Sequence, residues 1–180
     1  MKKIYKAVLA LFLGFSAMAQ TPFFTPTTYR GAFAPAPTTM WTDNWTEWDP
    51  QNKVYPAPTV TVSTDITVNT TWTSSNTYLI SGLIYVRNGA TLTIQPGTVI
   101  EGNKSVANSS LVITKGAKIN AAGTVNQPIV FTSNQAVGSR AIGDWGGVIL
   151  LGKGPLNQPG DTASIEGIAP TLNTQYGGGG

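Results

Sequence analysis

The side chains that could act as general acids, general bases or calcium ligands are few and dispersed. Four carboxylates lie in the second half of the chain: Glu101, Asp144, Asp161 and Glu166. A polysaccharide-cleaving site needs clustered carboxylates with an Arg or Lys nearby. No two of these acids lie at strand spacing, and Arg87 and Arg140 are isolated in sequence. We therefore interpret each as a solvated turn residue and predict no catalytic, cofactor or metal site in this segment.

A second candidate site is a cluster of three tryptophans, Trp41, Trp45 and Trp48, interleaved with Asp43, Glu47 and Asp49. Such aromatic rings could stack on a sugar while the carboxylates bind its hydroxyl groups. The alternative, which we favour, is a structural strap over the open first turn of a repeating fold, because the end of such a fold exposes core and unpaired backbone. The ligand in the first case would be an extracellular polysaccharide or a cell-surface glycan.

Composition excludes several other kinds of chemistry. The chain has no Cys and no His, which excludes disulfides, thiolate or imidazole metal sites and any catalytic triad with a His base. Three of the eleven Lys and Arg residues lie among the first six residues, which leaves eight against eight Asp and Glu. The remaining chain is neutral and carries no basic patch with interleaved aromatics, so no nucleic-acid partner is predicted.

The element that must position these side chains is a repeat between Leu83 and Thr132. Segment 84–94 aligns without gaps with segment 111–121 at an offset of 27 residues, so that Ile84 falls on Leu111 and Leu92 on Ile119. Apolar and polar residues alternate, which is the period of a strand with one buried face. Gly occupies the same position in both copies and indicates a turn with positive φ.

The repeat continues after an insertion. Segment 97–101 matches segment 128–132 at an offset of 31, so the second copy carries four extra residues near 123–126, and Glu101 falls on Thr132 rather than on another acid. Solenoids tolerate insertions that leave the strands in phase. We predict an all-β fold, a right-handed parallel β-helix whose turns stack in register. The alternative is a sandwich of antiparallel strands, which would not require a fixed interval.

Three regions follow along the chain. Residues 1–19 have the basic start, apolar centre and Ala17-Met18-Ala19 ending of a secretory signal peptide. Residues 20–58 are rich in Pro, Thr and Trp and form the irregular N-terminal strap or cap, since repeated Pro excludes central strands. Residues 59–180 form the β-helix. Within them, residues 70–77, which contain Trp72, predict a polar connection, and Ser164-Ile165 predicts a short strand. The run Val148–Leu151 predicts a strand buried on both faces, and the final glycines predict further turns beyond residue 180.

Several motifs resemble the turns of right-handed parallel β-helix proteins. They are Leu92-x-Ile94-x-Pro96-Gly97-Thr98, Gly123-Thr124-x-x-x-Pro128-Ile129-x-Phe131-Thr132 and Trp145-Gly146-Gly147-Val148-x-Leu150. With its Trp-rich strap, the chain is similar to large secreted surface proteins exported by the type IX secretion system. The resemblance implies an outer-surface location and a C-terminal sorting domain, which this sequence does not contain.

We therefore predict a non-catalytic protein that is secreted or held at the cell surface after signal-peptide cleavage, with no transmembrane segment. It would serve as an adhesin, stalk or glycan-contacting scaffold, because a β-helix offers a long rigid face. The alternative is a polysaccharide lyase or hydrolase of the same fold, with its active site, and any Ca²⁺, in turns beyond residue 180.

Overall fold

The computed structural model describes residues 46–179 without a gap, and ten separate residues before them. Those ten are Thr28, Arg30, Gly31, Phe33, Pro35, Pro37, Thr38, Met40, Thr42 and Asp43. The chain divides into two compact units, Met1–Asp43 and Asn44–Gly180, and the second contains every strand described below. The predicted signal peptide, Trp41 and Trp45 lie outside the described residues. None of the described helices has the length and apolar character to cross a membrane.

The described part of the chain is built from short strands, most of them three or four residues long. They are β1 (Val60–Val62), β2 (Thr70–Trp72), β3 (Thr77–Ile80), β4 (Leu83–Val86), β5 (Thr91–Ile94), β6 (Val99–Gly102), β7 (Ser110–Ile113), β8 (Lys118–Asn120), β9 (Val130–Ser133), β10 (Gly147–Leu150), β11 (Thr162–Ser164) and β12 (Gln175–Gly177). One 3₁₀ turn, Leu172–Thr174, precedes β12.

Ten of these strands form three parallel sheets, with the orders β1-β3-β6-β9, β4-β7-β10 and β2-β5-β8. Each sheet takes one strand from each successive turn of the chain, so the backbone winds as a parallel β-helix. Register pairs Ile84 with Leu111 and Leu92 with Ile119, as the repeat predicted. The prediction of a parallel β-helix is confirmed, and the antiparallel sandwich is excluded.

The core of the helix is a set of apolar columns. Ile84, Leu92, Ile100 and Leu111 are each 2% exposed or less, because alternate residues of each strand point inward and stack on the turn before. Gly89 and Gly116 have φ values of 72° and 92°, which confirms the predicted positive-φ turns. These glycines let the chain change direction between two sheets at the same point in successive turns.

The predicted insertion lies outside the columns. Residues 124 and 127 form a small antiparallel bridge, and the strand that follows resumes the register of Val99 with Val130. Glu101 pairs in register with Thr132, as the alignment predicted. The four extra residues therefore enlarge a turn without shifting the sheet.

The fourth turn of the β-helix, which contains β9 and β10, is more exposed than the sequence predicts. Val148 and Leu150 continue the columns of Leu111 and Ile113, yet they are 37% and 66% exposed. The prediction that 148–151 is buried on both faces is therefore wrong for β10, because no described strand pairs with its outer edge. The short strand predicted at Ser164-Ile165 overlaps the observed β11, Thr162–Ser164, only at Ser164, and β11 pairs antiparallel with β12.

One aromatic prediction also needs correction. Trp72, assigned to a polar connection, belongs to β2, is 4% exposed and stacks on Tyr78 with ring centroids 4.6 Å apart. The described part of the Pro- and Trp-rich segment, residues 46–58, is called the strap below. It contacts the loop after β9, where Gly138 N donates to Gln51 O at 2.8 Å. Its role as a cap over the first turn stays a prediction.

Candidate functional site

Arg140 fastens the strap to residues 134–146, called the β9–β10 loop below. Its Nη1 donates to the carbonyl oxygens of Pro50, at 3.0 Å, and Lys53, and its guanidinium lies 5.0 Å from the Tyr55 ring centroid. In return, Gln51 Nε2 donates to Arg140 O at 3.0 Å. Both hydrogen bonds come from one nitrogen, Nη1, whose two N–H groups lie in the plane of the guanidinium. Arg140 therefore holds the strap against the β9–β10 loop.

Asp144 organises the far end of the same loop. Its carboxylate, with 1% of the side chain exposed, lies 2.8 Å from Lys104 Nζ and accepts hydrogen bonds from Ser133 Oγ at 2.6 Å and Ala141 N at 2.9 Å. These contacts, that with Lys104 first, lower the pKa of Asp144 to about 2. Asp144 thus remains ionised, with its charge neutralised by Lys104.

The lowered pKa of Asp144 predicts acid sensitivity. A carboxylate with a folded pKa below its unfolded value stabilises the fold above about pH 4 and loses that contribution as the pH falls toward 2. We expect Asp144→Asn to be less stable than wild type at pH 7 and to lose stability less steeply between pH 4 and pH 2. Thermal unfolding across this range checks it; parallel curves for the two proteins would contradict it. The stability of Lys104→Gln should fall between pH 4 and pH 2 less steeply than that of wild type and more steeply than that of Asp144→Asn.

Glu101 is buried as well, at 5% exposure, on the outward side of β6 between Leu79 and Thr132. Burial raises the pKa of Glu101, and the charge of Arg140 partly opposes the rise. The interpretation of Glu101, Asp144 and Arg140 as solvated turn residues is therefore wrong. Tertiary contacts explain the difference. The strap and the β9–β10 loop cover the outer face of the β1-β3-β6-β9 sheet at Glu101, whereas sequence periodicity predicts that this face is exposed to solvent.

Strap and loop enclose a cavity of about 510 Å³ beside β9. Two tryptophans line it, Trp48 from the strap, 66% exposed, and Trp145 from the loop, half-buried. Hydrogen-bonding side chains also line it: Asp49, Gln51, Thr132, Ser133, Arg140 and Asp144. Of the three tryptophans predicted to stack on a sugar, Trp48 lies here, whereas Trp41 and Trp45 lie outside the described residues. Sequence reasoning missed Trp145, which it assigned to a strand motif.

Trp145 is held against the backbone of β6. A Cβ atom built on Gly102 would lie 2.2 Å from the Trp145 ring, so only glycine allows the indole to lie where it does. Glycine is needed at this position because the Trp145 ring lies close to the backbone, and not because the backbone adopts a positive φ. The final residue of β6 therefore positions one aromatic wall of the cavity.

Gly102→Ala is expected to destabilise the protein by about 1–3 kcal/mol, because the Trp145 ring must move to admit a methyl group. Chemical denaturation measures this change, and Trp fluorescence reports the displaced ring. The matched control is Gly154→Ala, where the new methyl group meets no atom within 4 Å; we expect a change within about 0.5 kcal/mol. Equal stabilities of the two variants would contradict the assigned role of Gly102.

The arrangement suits binding better than proton transfer. The guanidinium of Arg140 is engaged by backbone carbonyls, and the charge of Asp144 by Lys104. Glu101 does not line the cavity. Among the described residues, no group of three acidic side chains could hold a metal ion; the Ca²⁺ of the alternative function was predicted for turns beyond residue 180. The other lining groups that could contact a ligand are the two indole rings, the Thr132 hydroxyl and the side-chain oxygen of Gln51.

Comparison with known proteins gives one family. The family model described as a pectate-lyase-like beta helix domain matches residues 64–180. Searches of curated proteins and of solved structures returned no match. The matched region includes every turn of the β-helix after the first strand, together with the β9–β10 loop, whereas the strap precedes it.

Proposed function

The chain belongs to the pectate-lyase-like β-helix family, and from this premise we propose that it is a secreted or cell-surface protein that binds polysaccharide without cleaving it. The observation that carries the proposal is the cavity lined by Trp48 and Trp145 together with amide, hydroxyl and carboxylate groups. Sugar rings present apolar C–H faces and polar hydroxyl edges, which such a lining complements.

Two of the three charged side chains at the cavity, Arg140 and Asp144, are already engaged, which supports binding without cleavage. A general base must reach the proton that it abstracts, and a general acid must face the leaving group. Arg140 and Asp144 are instead held by the strap carbonyls and by Lys104. Both therefore serve to fix the walls of the cavity.

The sequence supports a secreted or cell-surface location. Residues 1–19 carry the signal-peptide pattern, and the resemblance to surface proteins of the type IX system favours the outer face of the cell. A stacked β-helix presents its side chains on a rigid face that could contact a polymer along several turns. We propose that the protein acts there as an adhesin or a glycan-contacting scaffold.

The proposal is tested with Trp48→Ala, because this side chain is 66% exposed and is not part of the buried core cluster. Loss of a stacking ring at the centre of a site is expected to weaken polysaccharide binding about tenfold, equivalent to about 1.4 kcal/mol. The matched control is Leu172→Ala, another exposed apolar side chain, at 84%, which lies outside the cavity. Affinity electrophoresis measures both; equal mobility shifts of Trp48→Ala and wild type would contradict the proposal.

Family membership favours a second candidate function, the cleavage of a polysaccharide. This function predicts that the polymer shortens on incubation with the protein, and that new reducing ends or unsaturated sugars appear. Under the proposed function the polymer keeps its length. Product analysis therefore separates the two candidates.

A further inference from the structure

A second cavity, of about 670 Å³, adjoins the first. The two share Gly143, Asp144 and Trp145, so the indole and the Asp144–Lys104 pair lie between them. We propose that the two cavities form one groove, and that the groove binds an uncharged polysaccharide chain rather than a polyuronate. This inference deepens the proposed function and rests on it, because it names the class of polysaccharide.

The size and continuity of the groove indicate an extended ligand. Each cavity alone lies within the volume range of small-ligand pockets, roughly 300–1,000 Å³. Trp145 borders both, so a chain that crosses it would contact the first cavity with one sugar and the second with the next. The second cavity adds apolar side chains, including Val106, Ile149 and Ile165, and the exposed Asn108 amide. Apolar patches with scattered amides suit the alternating C–H and hydroxyl surface of a neutral glycan.

The charges of the groove oppose a polyanion. It contains three carboxylates, Asp49, Asp144 and Glu166, and two basic groups, Lys104 and Arg140. Lys104 is paired with Asp144, and Arg140 is held by the strap carbonyls. Within residues 46–179 no ion pair neutralises Asp49 or Glu166. A polyuronate brings one carboxylate per sugar and would meet these acids with no available cation.

A bridging metal does not change this balance. Polyanions bind acidic proteins when a divalent cation links the two sets of carboxylates, which requires several protein oxygens at one point. The described part of the chain contains no group of three such side chains. Uncharged polysaccharides need neither cations nor bridging metals, and their binding depends on stacking and hydrogen bonds.

The experiment is affinity electrophoresis of the full chain in gels that contain hydroxyethyl cellulose, xylan, galactomannan or polygalacturonate. At least one neutral polymer is expected to retard the protein with an affinity tenfold or more above that of polygalacturonate. Retardation by the neutral polymer should change less than about twofold between low and high salt, since counterion release contributes nothing. Tighter binding of polygalacturonate would overturn the inference and leave the proposed function standing. A folded chain retarded by none of the four would overturn both.

A variant with altered charge tests whether the groove determines the preference for a neutral polysaccharide over polygalacturonate. Glu166 is exposed, so Glu166→Lys should fold normally while it converts an acid of the second cavity into a cation. We expect retardation by polygalacturonate to rise at least threefold and that by the neutral polymer to stay within about twofold of wild type. The control is Asn120→Lys, an exposed position outside both cavities. An equal rise for both variants, or none for Glu166→Lys, would overturn the assignment of the groove.

Discussion

Leu111→Ala is expected to lower the free energy of unfolding by about 2–5 kcal/mol, the range for a fully buried leucine whose removal leaves a cavity. Leu111 is 0% exposed and stacks in register between Ile84 of the preceding turn and Val148 of the following one. The column cannot close over the gap, because hydrogen bonds between the strands fix the spacing of the turns. Urea denaturation followed by circular dichroism measures the change.

The matched control is Leu150→Ala in the same sheet. Leu150 occupies an inward position one turn later, above Ile113, but it is 66% exposed. We expect its truncation to change stability by no more than about 0.5 kcal/mol. If both variants lost the same stability, the column would not be the element that holds the turns together.

Arg140→Ala is expected to cost on the order of 3 kcal/mol, because it removes charge-assisted hydrogen bonds to two strap carbonyls. Burial of Glu101 would also become more costly, since the positive charge of Arg140 favours its ionised form. The larger consequence is local: the strap loses its attachment to the β9–β10 loop. Limited proteolysis should cut near Tyr55 in the variant at a protease concentration that leaves wild type intact.

Arg140→Lys separates charge from geometry. A lysine keeps the positive charge and can donate from one nitrogen, as Nη1 of Arg140 does, but it lacks the planar guanidinium that lies over the Tyr55 ring. We expect the strap of this variant to be more susceptible to protease than that of wild type. Wild-type resistance in Arg140→Lys would show that a positive charge with one donor nitrogen suffices and would contradict a role for the guanidinium shape.

The sequence predicted the β-helix because each of its determinants is local or periodic. Alternation assigned the inward face, the common offset paired Ile84 with Leu111, and the recurrent Gly89 and Gly116 located the turns. In a solenoid each turn contacts only its neighbours. Residues at equivalent positions of consecutive sequence repeats are therefore expected to contact each other. The exposed side of β10 escaped prediction because an apolar run reads as buried whether or not a further strand covers it.

The candidate site could not be predicted in the same way, because it joins segments about 90 residues apart. Gln51 and Arg140 bond to each other across 89 residues, and no repeat or spacing marks that pairing. Glu101 was predicted to be solvated because outward positions of a sheet usually are, but it is 5% exposed beneath the strap and the β9–β10 loop. Trp48 was recognised from the tryptophan cluster. Its partner Trp145 could have been found from its position at the end of a long polar loop, where binding residues concentrate.

Isothermal titration calorimetry of a polysaccharide into the full chain tests the central claim most directly, since a single trace reports both binding and turnover. The account predicts discrete, saturable heats with a soluble neutral polysaccharide, weakened about tenfold in Trp48→Ala, and a baseline that returns after every injection. A continuous heat that persists after each injection, with shortened polymer recovered from the cell, would identify an enzyme. That result would contradict the assignment of this cavity as a binding site without catalysis.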